Sequence, residues 1–126
     1  MYAWTSTIST SDLRYKKDIA TLADQYDVFF NNLEPIKYKF INGTANRFHV
    51  GFIAQSVATA LSLAHLTPLD FAGYCYDISE DKKDIYSLRY EEFIALNTWQ
   101  IQKLKTRLNT LETRIAELEA LLNENQ

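Results

Sequence analysis

Reactive side chains are concentrated in one short segment, residues 11–18, which contains a hydroxyl, two carboxylates and three basic groups. A serine hydroxyl becomes a nucleophile only when a nearby base removes its proton. A lysine can be that base if burial or a neighbouring cation favours its neutral form. Ser11 also precedes a helical region, where serine is typical of an N-cap, with Asp12 in a position favoured by the helix dipole. The residues alone therefore leave nucleophilic chemistry and a helix cap both open.

Outside this segment the sequence offers few groups for metal or redox chemistry. Cys75 is the only cysteine, so no disulfide can form within the chain. With His49 and His65 as the only histidines, a Cys/His zinc site is not expected, and we expect no cofactor. His49 lies in a predicted strand beside Gly51, where it is either a core histidine or an aid to catalysis. Gly51 allows a close approach of another chain segment.

The elements that must position these residues form a small α+β head. Apolar residues at steps of three to four are typical of amphipathic helices, whereas alternating residues are typical of half-buried strands. Pro35 ends the first helix, and polar turns separate the paired strands. The predicted elements are helices over residues 18–33 and 54–66, and short antiparallel strands over residues 36–41, 48–53, 73–78 and 84–88.

The last third of the chain carries an uninterrupted heptad stripe on a helix that is predicted to begin near Arg89. No Pro or Gly occurs from Leu88 to Gln126. One helix cannot bury so narrow an apolar seam, which calls for partner helices and predicts an obligate oligomer. The apolar seam residues, predicted to join three copies of the chain, are Ile94, Ile101, Leu104, Leu108, Leu111, Ile115, Leu118 and Leu122.

Charged residues beside the seam favour parallel helices. In a parallel coiled coil, Arg107 of one chain faces Glu112 of its neighbour, and Arg114 faces Glu119. Asn97 occupies a core position and is predicted to set the register. The Ile and Leu pattern leaves dimer and trimer open. The alternative is a helix packed against its own head, which is disfavoured because the chain has no second long amphipathic helix.

Composition excludes several classes of partner. The 126 residues have room for one small domain and an appendage. The net charge of −3 provides no overall basic field for nucleic acid. No apolar run approaches the roughly 18 residues that cross a bilayer, and no signal peptide is visible. We therefore expect a cytoplasmic protein with no nucleic-acid or membrane partner.

Two motifs together resemble a known family. The first consists of Ser11, Asp12, Arg14 and Lys16, and the second is the segment His-Val-Gly-Phe-Ile-Ala-Gln at residues 49–55. In this order, and followed by heptads, they resemble the C-terminal intramolecular chaperone domain of phage tailspikes, endosialidases and neck appendages. That family has relatives inside membrane-bound eukaryotic transcription factors.

The resemblance implies an α+β head on a parallel trimeric coiled coil. It also implies a self-cleaving peptidase, whose Ser–Lys dyad cuts the bond before the serine once the trimer has formed. Mapped onto this chain, Ser11 is the nucleophile, Lys16 is the base and Thr10–Ser11 is the scissile bond. Lys17 is a competing base. The accessory candidates are Asp12, Arg14, His49 and Gln55, of which Gln55 is expected to hydrogen-bond the chain near the cut.

The separation of Ser11 and Lys16 restricts how their side chains can meet. Five residues along a helix place two side chains about 140° apart, and on a strand they place them on opposite faces. The two residues can therefore meet only across a bend or between subunits. Contact between subunits would make cleavage conditional on assembly.

The expected function is an intramolecular chaperone that registers an upstream β-structured fibre and then releases itself. Residues 1–10 are expected to end that fibre, residues 11–88 to form the head, and residues 89–126 to form the stalk. The expected location is the host cytoplasm during virion assembly, with the chaperone part absent from the mature virion. The alternatives are a structural trimerisation module without proteolysis and a processing segment of a transcription factor.

Overall fold

Two small antiparallel sheets and two short helices form the head, and a long C-terminal helix extends from it. The computed structural model describes residues 8–125, so most of the segment expected to end an upstream fibre lies outside the described residues. Two 3₁₀ turns, Leu13–Tyr15 and Pro68–Asp70, accompany the main elements. The main elements are α1 (Asp24–Asn31), β1 (Ile36–Tyr38), β2 (His49–Gly51), α2 (Ala54–Leu63), β3 (Tyr74–Ile78), β4 (Asp84–Leu88) and α3 (Glu92–Glu124).

Each sheet is a pair of neighbouring strands. β1 pairs with β2, which places Tyr38 opposite His49. β3 and β4 form a longer hairpin that runs from Tyr74 opposite Leu88 to Ile78 opposite Asp84. Isolated two-stranded sheets are marginal in water, and the β3–β4 hairpin packs against α2.

The core lies where α1, α2 and the start of α3 meet the β3–β4 hairpin. Phe29 of α1 is fully buried, and its ring centroid lies 5.0 Å from that of Phe71. Phe71 in turn contacts Phe93 of α3 edge-on, also at 5.0 Å. The buried apolar residues are Phe29, Val57, Ala60, Leu61, Ala64, Leu66, Phe71, Tyr74, Phe93 and Leu96.

Polar contacts fix the angle at which α3 leaves the head. The buried Gln100 donates a hydrogen bond from Nε2 to Oδ1 of Asp27 on α1 at 2.8 Å. Lys103 Nζ lies 3.2 Å from the same carboxylate oxygen and 4.5 Å from the ring centroid of Trp99. Because these residues lie one or two turns beyond Leu96, they extend the head–helix contact along one side of α3.

A close contact at Gly51 ties β2 to the start of α3. The Tyr90 hydroxyl accepts a hydrogen bond from the Phe52 N–H at 3.0 Å and lies 3.4 Å from the Phe52 carbonyl oxygen. A Cβ atom at Gly51 would overlap that hydroxyl. Gly51 therefore permits the close approach that the sequence predicts.

Several predicted boundaries were wrong at their ends. The first helix begins at Asp24 and not at residue 18. Asp18 has a left-handed φ of 56°, and the backbone is still extended at Ala23, with φ −91° and ψ 167°. The second helix ends at Leu63, just before His65 with a φ of 59°. The strands of the first sheet are three residues each, shorter than expected.

The heptad seam is not covered by the described part of the chain. Every described residue of α3 beyond Gln100 is exposed, and the apolar seam residues are 48–66% exposed. The alternative that this helix packs along its own head is therefore wrong beyond Lys103, the last residue with a contact to α1 among those described. None of the helices within residues 8–125 has the length and apolar character that a membrane crossing requires.

Candidate active site

One short turn brings Ser11 and Lys16 together within a single chain. The 3₁₀ turn Leu13–Tyr15 is capped by Asp12, whose Oδ1 accepts a hydrogen bond from the backbone N–H of Arg14 at 2.9 Å. Lys16 Nζ donates a hydrogen bond to Ser11 Oγ at 2.7 Å. The five-residue separation is therefore bridged by a bend, one of the two routes that the spacing allows.

The distance between these two atoms suits proton transfer. A base within about 2.6–3.2 Å of a hydroxyl can take its proton directly. In the form described by this hydrogen bond the ammonium group donates, so Lys16 must first lose a proton before it can accept one from Ser11. Both side chains are exposed, and Thr10 is exposed beside them, so the peptide bond between Thr10 and Ser11 is accessible.

Asp12 and Arg14 form their own ion pair beside this contact. Arg14 Nη2 lies 2.8 Å from Asp12 Oδ2, and Arg14 Nε donates to both carboxylate oxygens at 3.1 and 3.2 Å. The side-chain and backbone hydrogen bonds from Arg14 lower the pKa of Asp12, and the pair raises the pKa of Arg14. The charge of Arg14 is thus balanced by Asp12.

The same geometry tests whether Ser11 is a helix cap. Asp12 supplies the N-cap of the 3₁₀ turn, and the Ser11 hydroxyl is bonded to Lys16. The helix-cap interpretation of Ser11 is therefore wrong. Among the described residues, the hydrogen bond to Ser11 Oγ comes from Lys16 and not from Lys17.

His49 and Gln55 have other surroundings than the Ser11–Lys16 pair in the described part of the chain. The His49 ring stacks on Tyr38, with centroids 5.5 Å apart, and meets Phe40 at 5.0 Å. Gln55 lies in the first turn of α2 and is exposed. Within residues 8–125, no hydrogen bond connects either side chain to Ser11 or Lys16, and the bond from Gln55 to the chain near the cut stays a prediction.

The structural role of Tyr90 was not predicted from the sequence. Tyr90 belongs to neither of the two sequence motifs, yet its hydroxyl connects the helix start to Phe52 and covers Gly51. The heptad pattern could have indicated this residue. Tyr90 lies seven residues before Asn97 and four before Ile94, which extends the seam into the head.

Comparisons with known proteins agree with this architecture. Residues 11–65 match the family model described as the chaperone of endosialidase. A crystal structure of a novel intramolecular chaperone is 25% identical to this chain, with a TM-score of 0.64, and the match covers 77% of this chain and 99% of that chain. No curated protein sequence matches the chain.

A phage tail fibre shares the fold over a longer stretch of this chain. The carboxy-terminal domain of the bacteriophage T5 L-shaped tail fibre, with its intramolecular chaperone domain, matches with a TM-score of 0.58 at 22% identity. The match covers 92% of this chain but only 34% of that chain, so the present chain spans about a third of it. The resemblance stated from the two motifs is thus confirmed: residues 11–65 match the chaperone-of-endosialidase family, and the fold is that of the intramolecular chaperone domains of phage tail fibres.

Proposed function

We propose that this chain trimerises, registers an upstream β-structured phage fibre, and then releases itself by cutting the Thr10–Ser11 bond. The observation that carries the proposal is the 2.7 Å contact between Lys16 Nζ and Ser11 Oγ. It lies directly after the proposed scissile bond in a chain whose fold is that of intramolecular chaperones. Ser11 is the proposed nucleophile and Lys16 the proposed base.

The cleavage reaction has two steps. Neutral Lys16 takes the proton of the Ser11 hydroxyl, and the oxygen attacks the carbonyl carbon of Thr10. The Thr10–Ser11 carbon–nitrogen bond then breaks, and its nitrogen leaves as the protonated amine of Ser11, with an ester joining the two residues. Water hydrolyses this ester, which gives a carboxylate on Thr10 and restores the Ser11 hydroxyl. Attack by the Ser11 of a neighbouring subunit would give the same products.

Exposure of the pair provides a reason for cleavage to await assembly. A lysine acts as a base when burial or a nearby cation favours its neutral form. In the single chain both Ser11 and Lys16 are exposed, and Asp12 balances the charge of Arg14. A second surface that covered the pair would supply the missing burial. Assembly would then switch on the reaction.

The two sides of α3 support a trimer of the seam residues. Phe93, Leu96 and Gln100 face the head, whereas the seam residues remain exposed along the full helix. The described part of the head therefore leaves exposed the surface that a coiled coil requires. Opposite charges at Arg107 and Glu112 fit parallel neighbours, although each such pair contributes less than about 1 kcal/mol.

A parallel trimer would serve the folding of an upstream β-structure. Non-local β pairing is slow and leaves strand edges exposed. Joining three chain ends raises their effective concentration and fixes their register. Release would then leave the fibre kinetically trapped, because the chaperone that helped it to fold has gone. This role belongs in the host cytoplasm during virion assembly, and the mature virion would lack the chaperone part.

The test is intact-mass spectrometry of a longer chain that includes the natural upstream segment. The proposal predicts a fragment that begins at Ser11, and no such fragment from the Ser11→Ala variant. Trimers of that variant should persist, because Ser11 lies far along the chain from the seam. If the wild-type chain stays intact while trimers form, the chain is a structural trimerisation module without proteolysis.

A further inference from the structure

An apolar groove of about 880 Å³ lies at the base of α3, apart from the Ser11–Lys16 pair. It is bordered by β1, the β2–α2 junction and β4. Phe40 is 60% exposed there, and Ile53 is 49% exposed. Large apolar side chains that remain exposed together are typical of interaction surfaces. The residues that form its aromatic and aliphatic wall are Tyr38, Phe40, Phe52, Ile53, Tyr86 and Tyr90.

The groove is continuous with the heptad seam through Tyr90. Tyr90 lies in the turn that leads into α3, where its carbonyl oxygen accepts a hydrogen bond from the N–H of Phe93 at 3.0 Å. It occupies the seam position four residues before Ile94 and is 43% exposed. Its hydroxyl is held by Phe52, which also lines the groove. One residue thus belongs to both surfaces.

We propose that a second copy of this chain occupies the groove, through the segment that starts its own α3. This proposal rests on the parallel trimer of the proposed function. An in-register parallel coil places the neighbour's Tyr90 and Ile94 at the same height along the axis as the groove. A ring of three copies can close with each groove filled by the next chain.

Charge supports the same occupant. Lys37 is the only charged residue among those that line the groove. The segment that would enter it carries Glu91, which directly follows Tyr90 and is exposed. An apolar surface with one cation therefore meets an apolar segment with one carboxylate. Complementary charge of this kind sets register and specificity between partners.

The experiment is photo-crosslinking in the full chain, with benzoylphenylalanine in place of Phe40. The matched control carries the same group in place of Leu69, which is 98% exposed and lies outside the groove. The proposal predicts covalent dimers and trimers on a denaturing gel from the Phe40 site and monomers from the Leu69 site. Peptide mapping should locate the adducts within residues 85–95.

Light scattering on the same samples distinguishes failure of the groove proposal from failure of the proposed function. Trimers without interchain adducts at Phe40, or equal adducts from both sites, would overturn the groove proposal and leave the proposed function standing. Monomers at every concentration would overturn both.

A substitution provides a second readout of the groove. Ile53→Asp should raise the concentration at which trimers dissociate by about tenfold or more, because it places a charge in a desolvated contact. Leu69→Asp should change it less than about twofold, since a surface substitution away from contacts has little effect. Equal dissociation of the two variants would contradict the proposal.

Discussion

At the scale of single residues, the contact between Ser11 and Lys16 depends on what lies between them. Asp12 caps the 3₁₀ turn and forms an ion pair with Arg14, and both interactions stabilise the turn. Lys16 is then free to reach back to Ser11 Oγ. The nucleophile, the base and the turn that joins them thus occupy six consecutive residues, 11–16.

Exchanging each lysine separately tests which one is the base. Lys16→Met removes the amine and keeps most of the side-chain length, so we expect cleavage at Thr10–Ser11 to fall by at least 100-fold, the usual contribution of general base catalysis. Lys17→Met should cleave at close to the wild-type rate. Fragment formation in the longer chain, followed by intact mass, is the measurement. Loss of cleavage in Lys17→Met with activity in Lys16→Met would assign the base to Lys17.

The residues of the candidate site could be predicted from the sequence, but their geometry could not. The motif around Ser11 pointed to Lys16, and the spacing excluded a regular helix or strand as the link. The 3₁₀ turn was not predicted, because three residues give no periodic signal. Asp12 and Ser11 are both residue types that can cap a turn, and a local hydrogen bond from the backbone to Asp12 decides which of them is the cap. Only coordinates distinguish these two caps.

At the scale of secondary-structure elements, the junction of α3 with the head determines what the long helix can do. Tyr90 joins its start to Phe52, and Gln100 joins its third turn to Asp27. These contacts lie on either side of the apolar contact of Phe93 with the core. The helix is therefore held at a fixed rotation, which decides which of its faces remains free.

Adding a methyl group at Gly51 should strain this junction. Gly51→Ala places a Cβ against the Tyr90 hydroxyl, and we expect a loss of about 1–3 kcal/mol, the usual cost of overpacking. Urea unfolding at one fixed protein concentration measures it. In a Tyr90→Phe background the added loss should be smaller, because the overlapping hydroxyl is gone. Equal losses in both backgrounds, within about 0.5 kcal/mol, would contradict the contact.

The Asp27 contact predicts a specific dependence of stability on pH. The hydrogen bond from Gln100, followed by that from Lys103, lowers the pKa of Asp27. A carboxyl whose folded pKa lies below its unfolded value stabilises the fold above the unfolded value, about 4, and loses this effect as the pH falls through the folded value. Asp27→Asn should therefore be less stable than wild type at pH 7, and the difference should shrink below about pH 4.

A matched variant separates this effect from general charge. Asp81→Asn changes an exposed carboxylate in the β3–β4 turn and should leave the pH dependence of unfolding close to that of wild type. Thermal unfolding at a series of pH values compares the three proteins. An Asp27→Asn difference that stays constant from pH 7 to below pH 4 would show that the carboxylate charge plays no part.

The order and type of the main elements could be predicted from periodicity, whereas their ends could not. Apolar spacing indicated the helices and strands in the correct order. The ends depend on single residues that leave the right-handed helical region, the extended Ala23 before α1 and the left-handed His65 after α2, which do not alter the apolar pattern. Short strands such as β1 also take their length from the partner strand, which no local pattern describes.

At the scale of the whole molecule, α3 presents two neighbouring surfaces, one packed on the head and one exposed. One side, from Phe93 to Lys103, is occupied by the head. The other side carries the seam, which stays exposed for the length of the helix. An exposed apolar seam of this length is costly in water, and partner helices would relieve that cost. The proposed trimer, the proposed filling of the groove and the proposed timing of cleavage all depend on this exposed seam.

Breaking the seam should therefore block both assembly and release. Leu111→Lys puts a charge at a core position, and we expect dissociation to monomers and a marked loss of cleavage in the longer chain. Thr113→Lys adds the same charge on the outer side of the helix, so trimers and cleavage should persist. Light scattering and intact mass on each variant measure the two effects. Full cleavage by monomeric Leu111→Lys would contradict the link between assembly and release.

The most direct test of the account is the molar mass of the wild-type chain in solution at micromolar concentration, measured by size-exclusion chromatography with light scattering. The account predicts the mass of three chains, stable on dilution, because residues 8–125 of its own chain leave the seam on α3 exposed. A mass of one chain across the whole concentration range would contradict it.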